Sequence, residues 1–407
     1  MAQASAGPRR RLGLGTQILL GMVGGALLGA LVGERVEVVE PLGTLFIRLL
    51  MMAAVPLVFF NLLAGLTSLT DLRTLGRLAG KTAAWFAVTT AAAVLLGMTA
   101  MILARPGVGM TPTGAVDRDP GAVPSLVDLL LGLVPTNAFA AFADGDVAQV
   151  VVMGVLLGAA TLLLPDGPRD RLRELYADLA ALLRKLVDLI LLVAPYGIGA
   201  LMAVAAGRYG ALLFGPMARF VLVVWGAHAV VVLGYMATLR AASPWRPLAF
   251  LKRTWSVWAT TLATTSSLAS LSVSLEVAEE MELPRPLYGF VLPLGAQVNK
   301  DGTAVFLAAV TLFTAQAAGV TPAFGELVTV FLMAFLLSAG SGGIPGGGFV
   351  VALLMVQALQ LPLEMAAIVG GIYRLVDMGN TTVNVMGDMV GTVLVAASEE
   401  RRGATWS

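Results

Sequence analysis

Apolar segments long enough to cross a bilayer recur along this chain and constrain its fold more than any other feature. They include residues 14–32, 45–66, 83–103 and 212–239, each near the roughly 20 residues that a membrane-spanning helix needs. Because lipid offers no partner for unpaired backbone N–H and C=O groups, such segments must be helices. With 58% hydrophobic and 13% charged residues, the composition lies outside the range of soluble domains. The sequence therefore predicts an all-α polytopic membrane protein.

Charge and the scarcity of certain residue types exclude several classes of function. Arg9-Arg10-Arg11 precede the first apolar segment, but that segment is too long for a signal peptide and predicts an uncleaved first span. A net charge of +1 gives no basis for a nucleic-acid partner. The chain has no cysteine and one histidine, His228, which leaves little for a zinc site or a catalytic triad. The sequence therefore predicts no enzymatic activity and no cofactor.

Two segments rich in Gly, Ser and Thr interrupt the apolar second half of the chain, over residues 264–267 and 338–348. Non-helical backbone of this kind cannot face lipid, because each unpaired N–H or C=O group is costly there. It must pack within protein or line a wet cavity. Paired discontinuous elements are typical of transporter binding sites.

The order of segments predicts six helices, followed by two hairpin–helix units. The helices cover 12–33, 41–70, 79–105, 126–165, 174–206 and 211–240. Re-entrant hairpins over 247–279 and 323–357 are followed by helices over 286–318, interrupted at 299–303, and over 361–398. This arrangement puts about 18 Lys and Arg residues on one side and about 4 on the other, so both termini are expected in the cytoplasm. The two units have opposite orientations, as in the inverted repeats of transporters.

The last predicted helix carries a polar stripe. At about 100° per residue, seven side chains fall within roughly 120° of one face. They are Tyr373, Arg374, Asp377, Asn380, Thr381, Asn384 and Asp388. Ionisable groups in a membrane are costly and usually mark a solute path, so this face is predicted to bind a solute, with a polar seam between helices as the alternative.

The break at 299–303 would expose carbonyls that suit a cation and N–H groups that suit an anion, unless it is a cytoplasmic loop.

Four motifs in this order resemble those of the glutamate transporter family, the dicarboxylate/amino acid:cation symporters. They are Ser266-Ser267 and the segments 299–303 (NKDGT), 338–346 (SAGSGGIPG) and 377–384 (DMGNTTVN). The resemblance implies a prokaryotic inner-membrane homotrimer with eight transmembrane helices, two re-entrant hairpins and an elevator motion. The implied scaffold covers 1–78 and 126–206. The implied transport domain covers 79–105, 211–240, 247–279, 286–318, 323–357 (the gate) and 361–398.

The resemblance also implies roles for individual residues. Asp377 would hold a substrate amino group, and Asn384 with Thr303 would hold a carboxylate. The implied substrate-binding residues are Ser266, Ser267, Thr303, Gly343, Arg374, Asp377, Asn380, Thr381 and Asn384. The implied Na⁺ sites use Gly295, Asn299, Asn384 and Asp388 for one ion, Gln297, Ser338, Ala339 and Ser341 for a second, and Phe86, Thr89, Thr90, Asn299 and Asp301 for a third.

One departure from the family pattern concerns the substrate. Asn380 stands where acidic-amino-acid transporters have an arginine, and a neutral amide cannot supply the same bidentate pairing to a carboxylate. The sequence therefore predicts secondary active transport of a small, neutral or polar amino acid. Arg374 lies close to Asn380 on the same helix, with Thr265 at the first hairpin tip, and could pair with an acidic ligand. The alternative is therefore Na⁺- or H⁺-coupled symport of an acidic amino acid or a dicarboxylate. Asp377 would repel a dianion that lacks an amino group.

Further departures concern the coupling ion. Lys300 replaces a methionine, and its ammonium near Asp301 and Asp388 would repel Na⁺ at low dielectric. Lys300 is therefore predicted to replace one or more sodium ions, leaving transport Na⁺-independent, weakly coupled or proton-coupled. The alternative is that Lys300 snorkels elsewhere and the sodium sites persist. Gln297 replaces a threonine and weakens the second site. A passive channel or a hydrolase are the remaining alternatives, although Ser267 lacks a catalytic base.

Overall fold

The structure is a computed structural model that describes residues 14–67, 76–110, 131, 134–145, 147–210, 214–342 and 346–402. These residues are almost entirely helical and form no β-strand. The described part of the chain is therefore all-α, as its composition predicts. The arginine cluster at residues 9–11 and Gly343 lie outside the described residues.

The described residues form sixteen α-helices. The first eight are α1 (Leu14–Val32), α2 (Glu40–Thr67), α3 (Gly76–Ala104), α4 (Ala138–Ala143), α5 (Val147–Leu162), α6 (Asp166–Leu191), α7 (Ala194–Tyr209) and α8 (Phe214–Ala242). The others are α9 (Pro247–Arg253), α10 (Trp255–Thr264), α11 (Leu271–Glu280), α12 (Arg285–Val298), α13 (Asp301–Ala317), α14 (Phe324–Gly340), α15 (Gly347–Ala358) and α16 (Leu363–Glu400). A 3₁₀-helix, Gly33–Val39, joins α1 to α2.

Among the described residues, three helices are long and apolar enough to cross a membrane unbroken. They are Arg35–Thr67, Arg77–Ala104 and Gly215–Ala242. By length and composition, the bent pair Asp166–Leu191 with Ala194–Arg208 makes a fourth if the pair is counted as one span. Shorter apolar helices cover Thr16–Val32, Val152–Leu162, Phe324–Gly340 and Gly347–Ala358. Several apolar helices of this kind are consistent with a membrane protein.

Two helices predicted as continuous are interrupted in the structure. The sequence predicts one helix over 126–165, but α4 begins after Asn137, whose side chain caps it, and the chain turns at Gly145 (φ 68°) before α5. The helix predicted over 174–206 is bent by 55° between α6 and α7. Pro195 stands in the first turn of α7, where its missing N–H is harmless to the new helix but prevents continuation of the old one.

Two helical hairpins contain the polar breaks. Hairpin 1 consists of α10 and α11, joined at residues 265–270, where Thr265 adopts a left-handed conformation (φ 51°). Hairpin 2 consists of α14 and α15, and Gly342 and Gly346 flank its tip with φ of 68° and 83°. Glycine adopts such angles without steric cost. The polar segments are therefore the tips of two hairpins.

The helices form two groups that pack mainly within themselves. In the first group, α1 packs on α7, and α2 packs on α5, α6 and α7. In the second group, α13 packs on α3, α14, α15 and α16, and only Gln316 of its 17 residues escapes full burial. Helix α16 also contacts α8, α10 and α12. The groups meet where α2 packs against hairpin 2 and α7 packs against α16.

Ion pairs fasten α3 to the end of α16. Arg77 and Lys81 of α3 both bind the buried Glu399, with Lys81 Nζ 2.6 Å from Oε1. Desolvation alone would raise the pKa of the Glu399 carboxyl, but hydrogen bonds from Lys81 and Arg77 outweigh it and lower that pKa below its ordinary value. The carboxylate therefore stays charged, which keeps both helices together.

A glycine seam joins α1 to α7. Gly21, Gly25 and Gly29 recur every four residues, and a Cβ on any of them would approach backbone atoms of α7 to 3.0 Å or closer. Small residues at this spacing let membrane helices pack backbone to backbone.

We predict that Gly25→Leu destabilises the protein by about 1–3 kcal/mol, because the new side chain collides with α7 at Gly199. The matched control is Gly24→Leu, since a side chain there meets nothing within 4 Å. Melting temperatures of the purified proteins in detergent provide the measurement. Equal melting temperatures for the two variants would contradict the seam.

Candidate solute site

The candidate site is built where one helix is interrupted and two hairpins end. Helices α12 and α13 are separated by Asn299 and Lys300, both fully buried. The tips of hairpins 1 and 2 reach this region through Ser267 and Gly346, and α16 passes beside it. A break buried in protein satisfies the requirement that non-helical backbone avoid lipid.

Asn384 of α16 caps the first turn of α13. Its Oδ1 accepts hydrogen bonds from the N–H groups of Gly302 (2.7 Å) and Thr303 (3.3 Å), and its Nδ2 donates to Thr303 Oγ1 at 3.2 Å. The local N-cap residue, Lys300, makes no side-chain cap of its own. A side chain from another helix therefore satisfies N–H groups that a helix N-terminus leaves unpaired.

Lys300 binds the opposite end of the break. Its Nζ donates to the carbonyl of Ala296 in the last turn of α12 at 2.6 Å, and to Ser267 Oγ of hairpin 1 at 3.3 Å. The side chain is 1% exposed. The ammonium thus occupies the electronegative C-terminus of α12 and ties it to hairpin 1.

Asp377 links α16 to hairpin 2. Its Oδ1 accepts a hydrogen bond from Tyr373 Oη at 2.7 Å, and its Oδ2 accepts one from the N–H of Gly346 at 3.3 Å. One turn away, Arg374 donates to Thr265 Oγ1 and to the Ala263 carbonyl (3.0 Å) of hairpin 1. The two charged side chains therefore reach different hairpins.

A cavity of about 210 Å³ lies beside these contacts. Polar and charged groups on its wall come from Thr264, Gly346, Tyr373, Arg374 and Asp377. The remaining wall is apolar and includes residues of α1, α2, α6, α7 and α15. A small solute placed here would meet one carboxylate and one guanidinium against an apolar wall, which is the usual composition of a small-molecule site.

Two of the implied cation sites bring oxygen atoms together. Asn299 Nδ2 donates to Asp388 Oδ1 (2.9 Å) and to the Asn384 carbonyl (3.3 Å), while its Oδ1 is buried without a hydrogen-bond partner among the described residues. Gly295 lies so close to the Asp388 carboxylate that any Cβ there would collide with it. An unpaired oxygen beside a carboxylate is a fitting ligand for a hard cation.

The third implied cation site centres on Asp301. Thr90 Oγ1 donates to its Oδ1 at 2.5 Å, and Tyr235 Oη donates to its Oδ2. Sequence reasoning did not identify Tyr235, because a single tyrosine in the apolar α8 carries no periodic signal. Thr89 donates to the Trp85 carbonyl of its own helix at 3.0 Å, a bond common for threonine in helices. Its hydroxyl also interacts with the Asp301 carboxyl group.

The other predicted residues vary in how closely they join the site. Ser338 and Ser341 donate to carbonyls within hairpin 2, and Ser266 Oγ accepts from the Ala269 N–H within hairpin 1. Thr381 is buried, and Gly343 lies outside the described residues.

Asn380 is fully buried, and neither polar atom of its side chain has a hydrogen-bond partner among the described residues. His228 is buried with its Nε2 3.3 Å from the Gly302 carbonyl.

The sequence profile of the Sodium:dicarboxylate symporter family matches residues 14–398. The chain belongs to this family. Its membership confirms the predicted resemblance and identifies a membrane transporter rather than an enzyme.

Several bacterial transport proteins are similar to the chain over most of its length. A proton/glutamate-aspartate symporter of Escherichia coli (strain K12) is 31% identical, over 96% of this chain and 94% of that protein. A proton/sodium-glutamate symport protein of Geobacillus stearothermophilus is 28% identical, over 96% and 95% respectively. A C4-dicarboxylate transport protein of Rhizobium etli is 31% identical, over 94% and 88%.

We predict that Asn384→Ala destabilises the protein by about 1–3 kcal/mol, because the buried N–H groups of Gly302 and Thr303 lose their acceptor. Thr392→Ala is the matched control in the same helix, since Thr392 Oγ1 only donates to the Asp388 carbonyl one turn earlier. The melting temperature in detergent measures the difference. An Asn384→Ala protein as stable as Thr392→Ala would refute the capping role.

Proposed function

We propose that the chain is a cation-coupled symporter of a small acidic amino acid. The observation that carries this proposal is the cavity that presents Asp377 and Arg374 together between the two hairpin tips. A substrate ammonium pairs with Asp377 and a carboxylate pairs with Arg374, whose guanidinium can form bidentate hydrogen bonds. A second carboxylate has the hydroxyl of Thr303 as its partner, since Thr303 Oγ1 accepts from Asn384 Nδ2 and keeps its own O–H to donate.

The names of the relatives favour an acidic substrate over the small neutral amino acid that Asn380 predicts. The relatives are named for glutamate, aspartate or C4-dicarboxylates. Arg374 supplies a positive charge that Asn380 lacks, which reconciles an acidic substrate with the loss of the arginine. A C4-dicarboxylate is the second candidate, favoured by the relatives of that name, but it has no ammonium to offset the negative charge of Asp377.

The transport domain in this proposal is the second helix group, with hairpin 2 as gate. The first group, α1, α2, α5, α6 and α7, is the scaffold of a homotrimer. Support comes from the packing, which is dense within each group and places α2 and α7 along the face where the groups meet. Movement of the second group along that face gives alternating access with eight spanning segments and both termini in the cytoplasm.

The coupling ion in this proposal is H⁺, with Lys300 in place of bound Na⁺, so that any dependence of transport on Na⁺ is weak. Oxygen atoms around Asn299, Asp388, Asp301 and Thr90 suit a cation. At the C-terminus of α12, however, the Lys300 ammonium already neutralises the carbonyl end of the helix. A second cation there would meet like charge at low dielectric.

We predict that the protein reconstituted in proteoliposomes accumulates aspartate or glutamate against a gradient, and that Asp377→Asn lowers this uptake about tenfold to hundredfold by removing a charge-assisted hydrogen bond. Asp188→Asn is the matched control, because Asp188 lies on α6 and pairs with Lys185. Radiolabelled uptake with competing unlabelled solutes measures specificity.

Competition separates the candidates in this assay. Succinate uptake that survives Asp377→Asn indicates a dicarboxylate carrier. Competition by serine or alanine but not by aspartate indicates the neutral substrate predicted from Asn380. Dissipation of a gradient without accumulation would show a channel and contradict symport.

We predict that replacing Na⁺ with choline changes uptake by the native protein less than about twofold, because Lys300 already occupies the end of α12. In Lys300→Met the carbonyl end is free for an ion, so uptake becomes dependent on Na⁺. The charge-preserving control Lys300→Arg retains the native behaviour.

The melting temperature tests the role of Lys300 without a transport assay. Na⁺ raises the melting temperature of Lys300→Met more than that of the native protein, since a bound ion stabilises the folded state by mass action. Full dependence of native uptake on Na⁺ would contradict the role given to Lys300.

A further inference from the structure

One guanidinium joins three carboxylates where α2, α7 and α16 meet, at the N-terminal end of α2. Arg208 lies 2.9 Å from Glu37, 3.1 Å from Glu40 and 3.0 Å from Glu364. Its side chain is 17% exposed. The three carboxylates are 31% to 49% exposed, so each pair is partly screened by solvent.

The position of these residues in their helices strengthens the cluster. Arg208 stands in the last turn of α7, while Glu40 and Glu364 stand in the first turns of α2 and α16. A cation at a helix C-terminus and an anion at a helix N-terminus are both favoured by the helix dipole. The charged side chains therefore each offset the partial charge of their own helix terminus and also pair with one another.

The partners of Arg208 belong to different groups of helices. Glu37 and Glu40 lie on the segments that pack with α7 in the first group, whereas Glu364 begins α16, the helix that carries Arg374 and Asp377. The pair between Arg208 and Glu364 is therefore an ionic contact across the face where the groups meet.

The tip of hairpin 2 lies near the other end of α2. A Cβ on Gly342 would stand 2.8 Å from Asn61 Nδ2. Asn61 follows Glu40 by 21 residues, about 31 Å along a helix, and is only six residues, about 9 Å, from the end of α2 at Thr67. The positive-inside rule predicts that this end of α2 is cytoplasmic. With this orientation, Gly340 and Gly342 of hairpin 2 lie against Val58 and Asn61, in the cytoplasmic half of α2.

We propose that the pair between Arg208 and Glu364 is a latch that holds the cytoplasm-facing arrangement. This inference rests on the proposed function, because it needs α16 to move along α2 and α7. When α16 moves outward, Glu364 leaves Arg208, whereas Glu37 and Glu40 stay with it. The guanidinium remains paired throughout, so the latch opens without leaving a bare charge in a partly buried position.

Disulfide formation between α7 and α16 tests the latch. The chain has no cysteine, so Met202→Cys with Gly371→Cys adds the only thiols. A Cβ on Gly371 would lie 2.6 Å from Met202 Cγ, which places the two sulfur atoms within bonding reach after small adjustment. The rate of oxidant-driven crosslinking, without solute or ion gradient, reports how much of the protein holds this arrangement.

We expect Glu364→Gln in this background to lower the crosslinking rate about fivefold, the effect of losing one partly screened ion pair. Glu40→Gln is the matched control, since it also loses a pair with Arg208 but within the first group, and it leaves the rate unchanged. High salt lowers the rate of the parent and not that of Glu364→Gln. Gel filtration verifies that all variants are folded.

Equal rates for Glu364→Gln and Glu40→Gln would overturn the latch, as would absence of crosslinking in the parent. Crosslinking uses neither substrate nor coupling ion, so it is independent of what the protein transports. A protein that fails to accumulate acidic amino acids but shows the expected crosslinking would contradict the proposed substrate and leave the latch standing.

Discussion

The structure depends on how an interrupted helix is completed inside a membrane. The break between α12 and α13 leaves N–H groups on one side and carbonyls on the other, and lipid can satisfy neither. Asn384 accepts from the N–H end, while Lys300 donates to the carbonyl end. Both caps are buried, and each ties the break to another element, α16 or hairpin 1. The candidate site forms here because the helical hydrogen bonds are interrupted while the backbone stays buried in protein.

The caps and the candidate ligands are the same side chains, so binding and packing are coupled. Asn384 caps α13 through its side chain, and its carbonyl accepts from Asn299, which also binds Asp388. An ion drawn to the unpaired Asn299 Oδ1 would act on a residue that already holds two helices. A solute at Asp377 would likewise compete with the Gly346 N–H of hairpin 2. An ion at Asn299 would therefore change the contacts that hold the helix break, and a solute at Asp377 would change those that hold hairpin 2.

The spacing of residues in the sequence predicts which side chains share one face of a helix. It predicts far fewer of the contacts between side chains of different helices. The polar stripe of α16 follows from residue spacing, and the hairpin tips follow from the Gly and Ser content of apolar segments. Tyr235 and the Asp301 carboxylate meet only because α8 packs beside the break, which no local pattern encodes. The bend at Pro195 was also missed, since a proline in an apolar segment can kink a span or begin a new helix. Arg208 lies between the helices predicted over 174–206 and 211–240, where no local pattern indicates its three partners Glu37, Glu40 and Glu364.

The charges around the site explain why transport of an acidic solute needs a companion cation. Asp301, Asp377 and Asp388 are buried against the two cations Lys300 and Arg374, which leaves formally one negative charge. An acidic amino acid adds a second negative charge, in surroundings where isolated charge is very unfavourable. A neutral amino acid would leave the balance unchanged, and a dicarboxylate would make it worse by two. In the proposed symporter, the closed and loaded site therefore needs companion cations in proportion to the charge of the substrate. Lys300 reduces that requirement by one, because it is a cation that the protein never releases.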